Sequence, residues 1–223
     1  MKKLDIVYED KNIIVIDKPS NMLTIATTKD KYNNLYRKVS EYVKKKNKNN
    51  KIFIIHRLDK ETSGLVVFAK NRDSKIKLQN VWKDTKREYL ALLEGTLKEN
   101  SNTLRLNLEE DDNHYVYVSK DKTKDLAITH YEVLQRFDHK TLVSISILTG
   151  KKNQIRVSMR YIHHPIVGDK KYGAKTNPYR RLMLHAASLE FVNPSTNKKI
   201  KLEADIPKVF LKGIENEGWR IRI

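Results

Sequence analysis

A chain of 223 residues with 39% hydrophobic and 32% charged side chains has enough apolar material for a packed core, which excludes wholesale disorder. Lys and Arg number 45 against 27 acids, a net charge of +18, and point to a polyanionic partner held through phosphate contacts, although an AT-rich genome also favours Lys, Asn and Ile. The absence of cysteine excludes disulfides, thiol catalysis and Cys-based zinc or iron–sulfur sites.

The opening MKKLDIVYEDK has no apolar h-region, so no secretory signal is expected. Residues 4–8 and 12–17 read as two short strands around the turn Glu9-Asp10-Lys11. Pro19 and Asn21 mark a loop in which Asn tolerates a left-handed backbone. Across 30–46, Leu35, Val39 and Tyr42/Val43 fall at helical spacing, and KKKNKNNK at 44–51 reads as a solvated basic loop able to touch phosphate. Ile52–Ile55 and Leu65–Ala69 are strand-like, and Asn71 or Asp73 suits the cap of a helix over 74–83.

REYLALLEG, 87–95, reads as a buried strand, with further strands at 102–109, 114–119, 126–135 and 140–148. Strand follows strand without intervening helices, so the sheet is expected to be largely antiparallel or mixed. A helix is predicted at 153–161 with Asn153 as its cap, then a Pro/Gly loop at 162–173, an apolar segment at 183–194, a strand in KKIKLEADIP, and a last helix over 207–217 opening on Pro207. The longest apolar runs, about six residues, fall far short of the ~20 that span a bilayer. No repeat or linker interrupts the chain, and the expected architecture is one α+β domain over 1–223, a broad sheet flanked by helices.

The chemistry concentrates in HRLDKETSGLVVFAK, 56–70. Asp59 lies between a basic doublet, His56 and Arg57, and the hydroxyl-rich turn Thr62-Ser63-Gly64, ahead of an apolar strand. A turn or capping Asp is the bland reading. Against it, Arg57 is close by in sequence, and Arg156 lies in an apolar segment where a buried guanidinium needs a carboxylate partner. An Arg contact would hold Asp59 ionised, as a nucleophile or base requires. Tyr89, in a predicted interior strand, is either a core tyrosine or a ring that stacks on a base taken out of an RNA stack. His163-His164 are adjacent and point apart in regular structure, no HExxH is present, and His56 and His185 read as structural hydrogen-bonding residues. No metal site follows. HRLD lacks the phosphate loop and DFG of a kinase, and no second carboxylate is matched to Asp59 as a glycosidase would need.

HRLDKETSGLVVFAK resembles the signature of RluA-type pseudouridine synthases, which isomerise uridine in ribosomal and transfer RNA. VYEDKNIIVIDKPSNM resembles the family's N-terminal strand pair and Lys-Pro loop, and REYLALLEG its tyrosine motif. LTGKKNQIRVSMRYIHHPIVGDKKYG resembles its Gln-Ile-Arg motif and Gly-Asp…Tyr-Gly loop, and RLMLHAASLEFVNP its Leu-His-Ala segment. The five motifs occur in family order over about residues 6–207.

The resemblance implies the pseudouridine synthase fold, α+β with a mostly antiparallel sheet and a central basic cleft. It implies Asp59 as the catalytic aspartate, Tyr89 as the tyrosine that packs on the target base and assists at C5, and Arg156 as the basic residue that pairs with the aspartate. Arg57 matches an arginine that in some relatives enters the RNA stack, and Ile155 and Leu184 match apolar positions near the pocket. Detaching uracil at N1 and rejoining it through C5 imports no group and oxidises nothing, so no cofactor is expected. A carboxylate could attack C1′, attack C6, or remove the C2′ proton.

Departures are Lys151-Lys152-Asn153 where Arg-Thr-His is frequent, Ser158 where His is frequent, and Asn21 where Gly is frequent. The expected partner is RNA (ribosomal or transfer) with no membrane role, and the expected state is a cytoplasmic monomer without the N-terminal S4 domain of many relatives. The rival is a non-catalytic RNA-binding or ribosome-assembly factor that keeps the fold.

Overall fold

A computed structural model of the chain describes residues 4–28 and 30–215. The chain divides into two compact units, Met1–Lys86 with Ala186–Ala204, and Arg87–His185 with Asp205–Ile223. Strands and helices together make an α+β protein.

In the first unit, β1 (Ile6–Glu9) and β2 (Ile13–Lys18) form an antiparallel pair, and β2 pairs antiparallel with β4 (Ser63–Ala69). The short β3 (Phe53–Ile54) also pairs with β4, and β10 (Leu184–Val192), whose greater part belongs to this unit, pairs with β11 (Lys199–Glu203). Every residue of β4 is buried, which explains why IIVI and LVVFA read as continuous apolar runs rather than alternating ones. One face packs Ile13, Val15, Leu65 and Val67 with Leu78 of α2 (Arg72–Val81) and Phe191. The other carries Phe68 against Tyr36 of α1 (Leu35–Lys46), the ring centroids 6.4 Å apart.

Both helices start at an asparagine. Asn34 accepts from Arg37 N at the start of α1, and Asn71 from Ser74 N at the start of α2. The helix predicted within 30–46 thus begins at Leu35, and Lys44, Lys45 and Lys46 form its last turn rather than a loop. Cations there suit the negative end of the helix dipole. Asn21 has φ +63°, the left-handed conformation anticipated for it.

The second unit holds an antiparallel sheet in the order β5 (Lys86–Glu94), β9 (Lys140–Ile147), β8 (Asp125–Arg136), β6 (Ser101–Glu110), β7 (Val116–Val118). β6 alternates, with Leu104, Leu106 and Leu108 inward. Its opposite neighbours on β8 include Thr129 and Ala127. On this sheet lies α3 (Gln154–Tyr161), tied to β8 by Gln154 Nε2, which donates to Ile128 O and Thr129 Oγ1. α4 (Lys208–Glu215) follows Pro207 directly, and the predicted continuation to 217 lies outside the described residues. No helix among the described residues is long and apolar enough to cross a membrane.

Candidate active site

Asp59 stands in a turn whose backbone is fixed by another loop. Lys18, fully buried at the end of β2, donates from Nζ to Pro19 O at 3.1 Å, Met22 O at 2.8 Å and Lys60 O at 3.1 Å. Ser20 Oγ donates to Glu61 O at 2.6 Å. Thr24 Oγ1 donates to Leu58 O at 2.7 Å and accepts from Leu58 N. The backbone of Leu58 before Asp59 and the carbonyls of Lys60 and Glu61 after it are therefore held by side chains of the 18–24 loop, while Asp59 itself is half-buried and its neighbour Arg57 is exposed. A buried ammonium costs several kcal/mol unless its donors find acceptors, and three carbonyls provide them.

His56 fixes the other end of the turn. Its Nε2 accepts from Val67 N at 3.1 Å, which places the ring proton on Nδ1, and its ring stacks on Trp82 at 4.6 Å. Past the turn, Gly64 has φ +113°, and a Cβ there would lie 2.2 Å from Ala186 O. Only glycine fits, because the side chain would occupy the neighbouring strand's backbone.

Tyr89 is 9% exposed on β5 and faces Ile145 in the register with β9. Arg87, two residues earlier and on the same side of the strand, is buried as well, whereas Glu88 between them is exposed.

Arg156 sits in a socket within the second unit. Its Nε and Nη2 donate to the two oxygens of Asp169, each at 2.8 Å, with both side chains buried. Asn153 Oδ1 accepts from Nη1 at 3.3 Å, and the Tyr172 ring lies 5.1 Å below the guanidinium carbon. Asp169 also accepts from Tyr172 N, so the Gly-Asp…Tyr-Gly loop and α3 are locked to each other. Asn153 stands at the N-cap of α3 as predicted, but its side chain makes no capping bond. It adopts a left-handed conformation with φ +53°, and its side chain serves Arg156 instead of a backbone N–H. Burial pushes the Tyr172 hydroxyl up to about 12, so the residue supplies a neutral face for the cation.

The model of the family described as RNA pseudouridylate synthase matches residues 12–161, a span that includes Asp59, Tyr89 and Arg156. The chain belongs to the RNA pseudouridylate synthase family.

Pseudouridine synthases are isomerases, and this chain is an RNA-modifying enzyme of that class. Among its curated relatives, the Bacillus subtilis RNA pseudouridine synthase YlyB is 35% identical over 96% of this chain and 72% of its own length. The tRNA pseudouridine synthase C of Haemophilus ducreyi is 31% identical over 97% of both chains. The ribosomal large subunit pseudouridine synthase C of Rickettsia prowazekii is 33% identical over 94% of this chain and 70% of its own. The solved structure of human RNA Pseudouridylate Synthase Domain Containing 4 superposes with a TM-score of 0.79, covering 95% of this chain and 92% of that one at 22% identity, a likeness of fold.

The remaining residues singled out in the sequence divide by position. Ile155 is buried in α3 and Leu184 at the start of β10. His185, next along β10, is fully buried against Phe210 at 6.4 Å, and burial and the nearby Arg181 press its pKa down to about 4, so the ring is neutral. Sequence reasoning missed three contributors. Asp169 grips Arg156 and was not singled out. Thr24 and Ser20 hold the Asp59 turn from more than 30 residues away. A signal for Asp169 exists in the Gly-Asp…Tyr-Gly motif, but nothing in the spacing ties that carboxylate to Arg156.

Proposed function

We propose that Asp59 is the catalytic carboxylate of uridine isomerisation, that the Tyr89 ring packs on the uracil and assists proton removal at C5, and that Arg156 is the basic member of the set. Arg57, exposed beside Asp59, enters the RNA stack where the target base left, and Ile155 and Leu184 supply apolar surface near the uracil. Residues 1–223 act as a single catalytic domain, as a cytoplasmic monomer and without a cofactor. The observation that carries the assignment of Asp59 is the anchoring of the backbone of Leu58, Lys60 and Glu61 around it by Thr24, Lys18 and Ser20. A carboxylate meant for reaction gains from being held at one position, because positioning removes entropy from the barrier.

The substrate is a uridine in ribosomal or transfer RNA. Relatives named for each class stand at similar identity, 33% and 31%, so the choice lies in surface features rather than motifs. Flipping the nucleotide costs a few kcal/mol of stacking, offset by pocket contacts and by phosphate binding to a chain of charge +18.

Tritium release from RNA labelled at uridine C5, taken from cells lacking the gene and split into ribosomal and transfer fractions, tests this reading. Wild type should release tritium from one fraction. Asp59→Asn should release none while binding RNA as wild type does. Turnover by Asp59→Asn would remove Asp59 from the reaction, and tight binding without wild-type release would favour the assembly-factor reading.

A further inference from the structure

Arg87 is a buried cation without a counter-ion among the described residues. It is 6% exposed. Its Nη2 donates to Ile147 O at 3.3 Å and Leu148 O at 3.2 Å, and Nε has no acceptor among the described residues. No carboxylate among those residues pairs with it, and burial presses its pKa below the usual arginine value. Arg156, equally buried, has Asp169 across a two-bond fork. Arg136, by contrast, is only half-buried and shares its donors among Leu97 O, Lys98 O and Asn100. A buried guanidinium that leaves donors unused costs several kcal/mol, and such a cost is retained where an anion arrives to relieve it.

The adjoining turn leaves this side of the guanidinium open. Gly150 lies beside Nη1, where a Cβ would stand 3.1 Å from that nitrogen, so a side chain there would crowd the unused donors. Lys151 and Lys152 follow in the same turn, each already engaged with a carboxylate, Asp125 and Glu110, and do not compete for the anion. Strand alternation sets Arg87 on the side of β5 that carries Tyr89, about 7 Å along the strand.

We propose that Arg87 binds a phosphodiester of the RNA at or next to the target uridine, through Nη1. This rests on the RNA-isomerase reading and on Tyr89 facing the base. Nη1 keeps its donors for a phosphate oxygen, and the two carbonyl bonds from Nη2 hold the guanidinium in place beforehand.

The competing role is structural, a clasp on the end of β9. Arg87→Gln separates the two, because an amide can still donate to a carbonyl but carries no charge. Dissociation constants for substrate RNA are measured across a salt series for wild type, Arg87→Gln and Arg87→Lys, with melting temperatures alongside. The same RNA bearing neutral methylphosphonates flanking the target uridine completes the cycle. Arg87→Gln should bind roughly tenfold or more weakly, with a salt slope smaller by about one. Arg87→Lys should keep the wild-type slope, and the neutral RNA should cost wild type affinity but cost Arg87→Gln little more. Wild-type affinity and slope in Arg87→Gln would overturn the assignment, as would losses that follow melting temperature rather than charge. Absence of wild-type turnover on that RNA would sink the isomerase reading and this assignment with it, whereas turnover with unimpaired Arg87→Gln binding would sink this assignment alone.

Discussion

The Arg156–Asp169 pair shows how one side chain constrains another far beyond its own energy. Two charges removed from water and joined by a fork contribute little net stability while both are present, but removing one leaves the other without its two-bond partner. Asp169→Leu should therefore cost about 3–5 kcal/mol. For a chain of this size that is a fall of roughly 10 °C in melting temperature, read by calorimetry beside wild type. Asp169→Asn, which keeps one acceptor, should fall less, and turnover should drop in both as the guanidinium loses its aim. An Asp169→Leu protein that melts with wild type would show that the pair carries no structural weight. At this scale the sequence named Asp59 for Arg156 and gave no sign of Asp169 as its partner. An arginine among Ile155, Val157 and Met159 needs an anion, and Asp169 reaches it from a loop thirteen residues on.

At the scale of elements, the β2–loop–β4 arrangement converts two motifs that look separate in sequence into one device. Lys18 faces Gly64 in the register of β2 and β4, and from there Nζ reaches the carbonyl of Lys60. Thr24→Val removes both bonds to Leu58 and leaves a buried carbonyl and N–H unserved, a cost of about 1–3 kcal/mol. Steady-state kinetics should show kcat falling while RNA affinity holds, and an equal loss in both would place the effect on the whole fold instead. Gly64→Ala puts a methyl into the Ala186 backbone at a positive φ, so soluble, native-like protein should be absent or unstable by several kcal/mol. A well-folded Gly64→Ala by circular dichroism would refute this. The strands and the caps at Asn34 and Asn71 were readable because each depends on local chemistry. The end of α1 was not, since the lysines of 44–46 look like a solvated loop until Val43 is seen packed beneath them.

For the whole molecule, charge and burial set the response to salt and pH. Lys44, Lys45, Lys48 and Lys51 cluster at and beyond the end of α1. Replacing them with Gln should weaken RNA binding and flatten its salt dependence, by up to about one unit of slope for each phosphate no longer neutralised. An unchanged slope would return them to plain solvated surface. His185 acts on stability. Its folded pKa, about 4, lies below the ordinary value of 6.5, so the unfolded chain takes up a proton that the folded chain refuses. The stability is fully present above about pH 6.5 and is lost as pH falls toward 4, by on the order of 3 kcal/mol. Urea midpoints across that range should fall more steeply in wild type than in His185→Asn, and parallel curves would show that the ring is not held neutral.

Composition, motif order and hydrophobic pattern by themselves determined the class of partner, the family resemblance, the strands and the residues with chemical character, because each of those is written in types and spacings along the chain. Only the tertiary structure decided which groups meet. Lys18 serves the carbonyl of Lys60, Thr24 holds Leu58, Asp169 takes Arg156, and Arg87 is left without a carboxylate among the described residues. Those outcomes depend on strand register and on which polar groups lose water together, and a buried charge is satisfied by whatever the packing brings within about 3 Å, at any separation in sequence.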